Sequence, residues 1–194
     1  MLSIIEENHS YTQMRDQMPY LWSLAQQYGY ATNWTALTHP SLPNYLAIVG
    51  GSTFGVTDDQ EPFAHPIDAE TVFDQALNVG KRARLWAESM PANCYLTNAS
   101  RYGVRHNPWT YFTPSRARCN SYDVPARSFM TVAANNRLPA AGMLIPNGCN
   151  DGHDCSLATA DGWLKARLPT VLGSDDFTSG RLVVVVTADE DDHS

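Results

Sequence analysis

Arg181-Leu182-Val183-Val184-Val185-Val186-Thr187 is the stretch that decides the fold, and Ala188-Asp189-Glu190 follows it directly. Residues 182–186 are apolar at consecutive rather than alternate positions and rich in β-branched side chains. That pattern fits a strand over 181–187 buried on both faces, since a strand with one wet face alternates. Strands of this kind belong to parallel sheets covered by helices on both sides. The other end of the chain repeats the design on a smaller scale. Residues 2–5 read as a short buried strand that stops at Glu6-Glu7-Asn8-His9-Ser10.

Between these ends, strand and helix signals alternate. Residues 20–28, after Pro19 and before Gly29, suit a short helix with a glycine cap. Residues 33–37 read as a strand or its exit, leading into Thr38-His39-Pro40-Ser41-Leu42-Pro43-Asn44. Pro43 near the start and Gly50-Gly51 past the end mark another helix and put Ser41 just before its N-terminus. Residues 68–80 place Val72, Phe73, Ala76 and Leu77 on one helical face, and 82–87 follow as a strand. Residues 88–125 show no sustained period and read as one long loop. A helix at 126–135, a strand at 142–145, a polar loop at 146–155 and a helix capped near Ser156 come next. The pattern predicts an α/β fold, a three-layer α/β/α arrangement around a mostly parallel sheet.

The 194 residues fit one domain, taken as 1–194, and 43% hydrophobic with 17% charged residues describes an ordered globular chain. A formal charge of -7 with no basic run argues against nucleic acid as a partner. There is no Gly-rich phosphate loop ending in Lys-Ser or Lys-Thr, so an anionic ester needs another source of positive charge, and a bound metal ion is the natural one. The four cysteines fall into two neighbourhoods, Cys94 with Cys119 and Cys149 with Cys155, neither at CxxC spacing. Two local disulfides and an oxidising compartment are expected, with other pairings left open. No segment has the length of a membrane span. Met1 opens straight onto an apolar strand without a signal peptide, which agrees with the cysteines if the chain is a piece of a longer secreted protein.

In parallel sheets, ligands gather at the carboxyl ends of strands. Three polar clusters stand directly after strand candidates: Glu7-Asn8, residues 147–154 and Asp189-Glu190. Their oxygens suit Ca²⁺, Mg²⁺ or Mn²⁺, and with an imidazole Zn²⁺. Asn147, Asp151 and Asp154 are further candidates within the middle cluster. Ser41 has a helix N-terminus beside it, and the Asn44 amide is placed to donate to a phosphoryl oxygen. His106 and His153 sit on loops, and acids and amides surround His153, which makes it the better candidate for assisting a leaving group. His9, His39, His65 and His193 stand in weaker contexts. Glycosylation sequons occur at Asn8, Asn33 and Asn98.

Glu7-Asn8-His9-Ser10-Tyr11, residues 38–45, Arg105-His106-Asn107-Pro108, Pro146-Asn147 with residues 150–155, and residues 184–191 together resemble the phosphoesterase family of bacterial secreted acid phosphatases and phospholipases C. That family is similar in fold to the alkaline-phosphatase superfamily. Ser41-Leu42-Pro43 matches its nucleophile followed by x-Pro. The resemblance implies Glu7, Asn8, Ser41, Asp189 and Glu190 as ligands of a divalent metal, Ser41 as nucleophile, His153 as catalytic partner, and Asn44 and His106 as phosphate-binding groups. It implies hydrolysis of a small phosphate monoester outside the cytoplasm, and further strands and helices beyond Ser194. A phospholipase-type diesterase, with Trp109, Tyr111 and Phe112 as the apolar approach for a phospholipid, is the alternative on the same scaffold, and a non-catalytic binding domain is the alternative of another class.

Overall fold

The computed structural model describes residues 1–192; His193 lies outside them. Its centre is a five-stranded, fully parallel sheet in the order β3-β2-β4-β1-β5, made of β1 (Leu2–Glu6), β2 (Ala83–Ala87), β3 (Asp123–Pro125), β4 (Ala141–Ile145) and β5 (Val184–Ala188). Side chains alternate across it as a pleated strand requires. Ile5, Leu85, Ala87, Met143 and Ile145 enter one core, which α3 (Ser41–Gly50), α4 (Val72–Asn78) and α5 (Arg116–Tyr122) cover. Leu2, Ile4, Trp86 and Leu144 enter the other. That side is covered by α1 (Tyr11–Gln17), α2 (Pro19–Tyr28), α6 (Phe129–Ala134), α7 (Leu157–Leu172) and α8 (Asp175–Thr178). The result is helix on sheet on helix.

The register sets the position of the site. β1 lies between β4 and β5, and Glu6 is level with Ala188, so Glu7 and Asp189 leave the sheet side by side. Asp189 N donates to Glu6 O across that exit at 3.0 Å. β2 and β4 leave together as well, Ala87 level with Ile145, which brings Glu88 alongside the loop after β4.

Several elements depart from the sequence-based expectation. β5 is half-buried at the sheet margin, pairing with β1 alone among the described strands; a β-branched run signals a strand but not its number of neighbours. Residues 33–37 form no strand. The loop at 88–125 contains α5 and β3, both missed because α5 buries only Cys119 and so carries no apolar period. α4 starts at Val72 because Thr71 caps it: the Thr71 hydroxyl accepts from Asp74 N, and the Asp74 carboxylate accepts from Thr71 N in return. The 126–135 segment opens with a 3-10 turn before α6. Trp109, Tyr111 and Phe112 are fully buried, so they cannot form the apolar approach expected of them. Gly50 allows part of that packing, since a Cβ there would meet the Phe54 and Phe112 rings at 2.7 and 2.8 Å.

Both expected disulfides are present, Cys94–Cys119 and Cys149–Cys155. The first joins the 88–125 segment to α5 and lies against Asp123, which is fully buried at the start of β3. Burial pushes the Asp123 carboxyl up to about 8, with Asn107 and Arg116 opposing the rise. Asn107 Nδ2 supplies its hydrogen bonds, at 3.1 and 2.9 Å to the two oxygens.

Burial sets the cost of truncating a side chain in this fold. Leu144→Ala, in the central strand β4, should lose about 2–5 kcal/mol of unfolding free energy, whereas Val183→Ala, exposed beside β5, should stay within about 0.5 kcal/mol, read by urea denaturation. Asp123 has its folded pKa raised from 3.8 to about 8, so it binds a proton on folding. Its contribution is fully present below the unfolded value and is lost as pH rises through the folded one. Asp123→Asn should therefore flatten the fall in stability between pH 5 and pH 8, and parallel urea midpoints in the two proteins would contradict this.

Candidate functional site

Ser41 is the first residue of α3, almost fully buried, and its hydroxyl lies between two carboxylates. Oγ is 3.1 Å from Glu7 Oε2 and 3.3 Å from Glu190 Oε1, so its single proton can go to either. One turn further along α3, Tyr45 OH donates to Glu7 Oε1 at 2.6 Å. The Tyr45 ring stacks on His106, centroids 5.3 Å apart. His106, buried in a 3-10 turn, brings Nε2 to 3.3 Å from Glu7 Oε2 and Nδ1 to 3.5 Å from Asp151 Oδ2. Neither approach is well directed, and Nε2 and Asp151 Oδ2 are left without a good hydrogen bond.

The electrostatics follow from crowding. Burial alone would push His106 down, but Glu7 and the Asp151 contact outweigh it and hold the ring up to about 10. Burial alone would raise Glu7, but His106, Tyr45 and Ser41 bring it below the ordinary carboxylate value. The pair is ionised. Asp189 goes the other way: burial, then Glu7 and Glu190, push it up to about 8, and its Oδ2 receives no hydrogen bond. Asp189 Oδ1 accepts from Asn8 N and Glu190 N. Burial and Glu7 raise Glu190, with His39 and Ser41 opposing. The chain places more negative charge here than its own cations offset.

The structure therefore brings Glu7, Ser41, His106, Asp151, Asp189 and Glu190 together at the carboxyl edge of the sheet. Asn8 and Glu190 line the mouth, a cleft of about 320 Å³ shared with His39, Asp191 and Asp192. The other candidates stand further off. Asn44 spends its amide on the loop before α3, with Nδ2 donating to Thr38 O at 2.7 Å and Oδ1 accepting from Leu37 N and Thr38 N, so the donor expected to face a phosphoryl oxygen is already in use. The helix N-terminus is likewise occupied: Leu42 N donates to Asp59 Oδ1 at 2.9 Å, and Pro43 has no N–H. Asn147 folds its own loop, accepting from Cys149 N and Asn150 N and donating to Ser89. His153 lies between Asp154 Oδ1 at 2.7 Å and Arg105 Nη2 at 3.2 Å. Arginine only donates, so Nε2 of His153 accepts and Nδ1 carries the proton toward the exposed Asp154.

Four participants carry little or no signal in the sequence. His39 directs Nδ1 to Glu190 Oε2 at 2.9 Å and Nε2 to Asp191 Oδ1 at 3.1 Å. Its place two residues before Ser41 is the available signal. Tyr45 lies one helical turn beyond Ser41, an i, i+4 neighbour that the helix assignment already implies. Asp59 carries no sequence signal. Glu6 is fully buried with neither oxygen hydrogen-bonded, and burial, Asp151 and Glu7 raise it well above the ordinary value.

A divalent cation fits this donor set. Glu7, Asp189 and Glu190 are hard oxygen donors, Asp189 Oδ2 is buried without a partner, and the carboxylates repel one another. Among the described residues, the group of three His, Cys, Asp or Glu with ligand atoms all within 4.8 Å is Cys94, Cys119 and Asp123. Both sulfurs there are joined in a disulfide, which leaves no thiolate to bind metal.

The chain is 32% identical over 194 residues to a phosphatidylinositol-3-phosphatase of Mycobacterium tuberculosis, covering 98% of this chain and 63% of that protein. It is 32% identical over 206 residues to a probable acid phosphatase of Kluyveromyces lactis, covering 97% of this chain and 47% of the relative. A phosphate-repressible acid phosphatase of Penicillium chrysogenum is 30% identical over 185 residues, covering 89% and 43%. The chain thus spans about half to two thirds of the length of these relatives. The Phosphoesterase family profile matches residues 4–193, so a parallel sheet with Ser41 between two carboxylates at its carboxyl edge belongs to a chain of the phosphoesterase family.

Proposed function

We propose that the chain carries the catalytic centre of a phosphate monoesterase with Ser41 as nucleophile. The observation that carries this reading is the Ser41 hydroxyl, buried and held between Glu7 and Glu190 at 3.1 and 3.3 Å. An isolated serine is a poor nucleophile, and an adjacent base is the usual remedy. Ser41 Oγ forms the new bond to phosphorus while the ester oxygen departs with its electron pair, and the serine proton passes to Glu7 or Glu190. Water then attacks the phosphoserine, releasing orthophosphate and restoring the hydroxyl.

Glu7, Asp189 and Glu190, with the side chains of Asn8 and Ser41, would hold a divalent cation. Such an ion neutralises phosphoryl charge and lowers the pKa of a bound hydroxyl. His106, charged beside Glu7, supplies positive charge in a site whose other charges are mostly negative. His39, open to the cleft and paired through both nitrogens, is better placed than His153 to protonate the leaving oxygen, since His153 Nε2 faces Arg105.

The names of the relatives support phosphate esters as substrates. Burial of Trp109, Tyr111 and Phe112 removes the support for a diester or acyl-chain wall. Two disulfides favour an extracytoplasmic location.

Ser41→Ala should lower kcat on p-nitrophenyl phosphate by at least about a thousandfold and abolish acid-stable phosphoenzyme, while Thr38→Ala should stay within about threefold. Phosphate mapped to Thr38 would overturn the assignment. For the cation, Asp189→Asn and Glu7→Gln should each weaken Mn²⁺ binding in direct titration by at least about tenfold, a readout that needs no turnover. Binding equal to wild type in both variants would remove the metal role.

A further inference from the structure

We infer that Glu88 is a positioning residue that clamps the Asp151 loop to the sheet and to α7. It stands one residue beyond β2 and receives four donors on two oxygens. Asn150 Nδ2 and Asn147 N reach Oε2 at 2.7 and 3.1 Å, and Trp163 Nε1 and Arg167 Nη2 reach Oε1, both at 3.1 Å. One oxygen holds the loop and the other holds the helix. Arg167 is fixed in turn by stacking over the Trp163 ring at 4.1 Å.

The loop has reason to need this. The Cys149–Cys155 disulfide closes it on itself and ties it to nothing else. Its other backbone anchors are Gly148 N to Arg101 O and Glu7 N to Asp151 O. Asp151 follows Asn150 directly and faces His106, which faces Glu7, which accepts from Ser41. A loop free to shift by an ångström would release the Asp151 side of His106 and let the ring turn away from Glu7. Charged acceptors make the strongest hydrogen bonds of this kind, so a carboxylate gathering four donors suits the task.

The kinetic part of the inference rests on the phosphatase reading, and the structural part does not. Glu88→Gln keeps the shape but loses the charge and turns an amide N–H toward existing donors. It should speed amide hydrogen exchange at residues 147–154 by about tenfold or more while exchange in β1 and β4 stays close to wild type. It should also lower kcat by about tenfold or more with KM within about threefold, a split that a mere loss of folded protein would not produce. Asn150→Ala removes one loop donor and leaves the carboxylate paired with α7. It should act in the same direction by a smaller factor, and it stands in for the test if Glu88→Gln fails to fold. Unchanged exchange at 147–154 overturns the clamp, as does a kcat within twofold of wild type in Glu88→Gln. A wild-type chain that turns over no phosphate ester, yet shows the exchange difference, leaves the clamp standing and removes the phosphatase reading.

Discussion

Like charges confined in a small buried volume repel, and Glu7, Asp189 and Glu190 are so confined. Parallel pairing of β1 with β5 brings them together, because the register that joins Glu6 to Ala188 leaves the following acids no other place to emerge. The surrounding groups limit the strain. Tyr45, His106 and Ser41 satisfy Glu7, Asn8 N and Glu190 N satisfy one oxygen of Asp189, and His39 answers Glu190. What remains unsatisfied, chiefly Asp189 Oδ2, marks where the protein's own groups run out. A fold seeking stability alone would have no use for such an arrangement, and sites where local rules are broken are commonly functional.

The same crowding explains why neighbouring groups titrate in opposite directions. His106 is driven up and Glu7 down because each is the other's counter-ion, while Asp189 is driven up because nothing opposes Glu7 and Glu190 on its behalf. The pattern of one ionised pair beside one reluctant acid arises from geometry that differs by only a few ångströms.

The layer arrangement and the parallel sheet were legible because near-continuous apolar runs at 2–5 and 182–186, each too short for a helix of ordinary length, fit little besides strands covered on both faces. Ser41, Glu7, Asp189 and Glu190 were legible because the carboxyl-end rule turns a strand assignment into a site assignment. What sequence could not show was side-chain direction. Asn44 lies close to Ser41 in the chain yet turns to the loop before α3, and Asp59 reaches α3 from a segment without regular structure. The margin position of β5 was hidden for a related reason, since apolarity along a strand does not count its neighbours. Glu6 looked like an ordinary loop acid, and only three-dimensional burial distinguishes it from Glu7.

Asp59 at the start of α3 has a consequence for selectivity. A helix N-terminus attracts anions of every kind, and Ser41 stands at such an end. With Leu42 N already given to Asp59, the chain keeps its own anion permanently in that seat, at the high effective concentration that covalent tethering provides. A chloride or carboxylate drifting into the cleft meets a resident rival and has little else to offer. A phosphate ester bridged to several groups at once does not depend on that seat. The tethered carboxylate thus works as a sieve against simple anions, raising the threshold for entry without touching the reacting atoms.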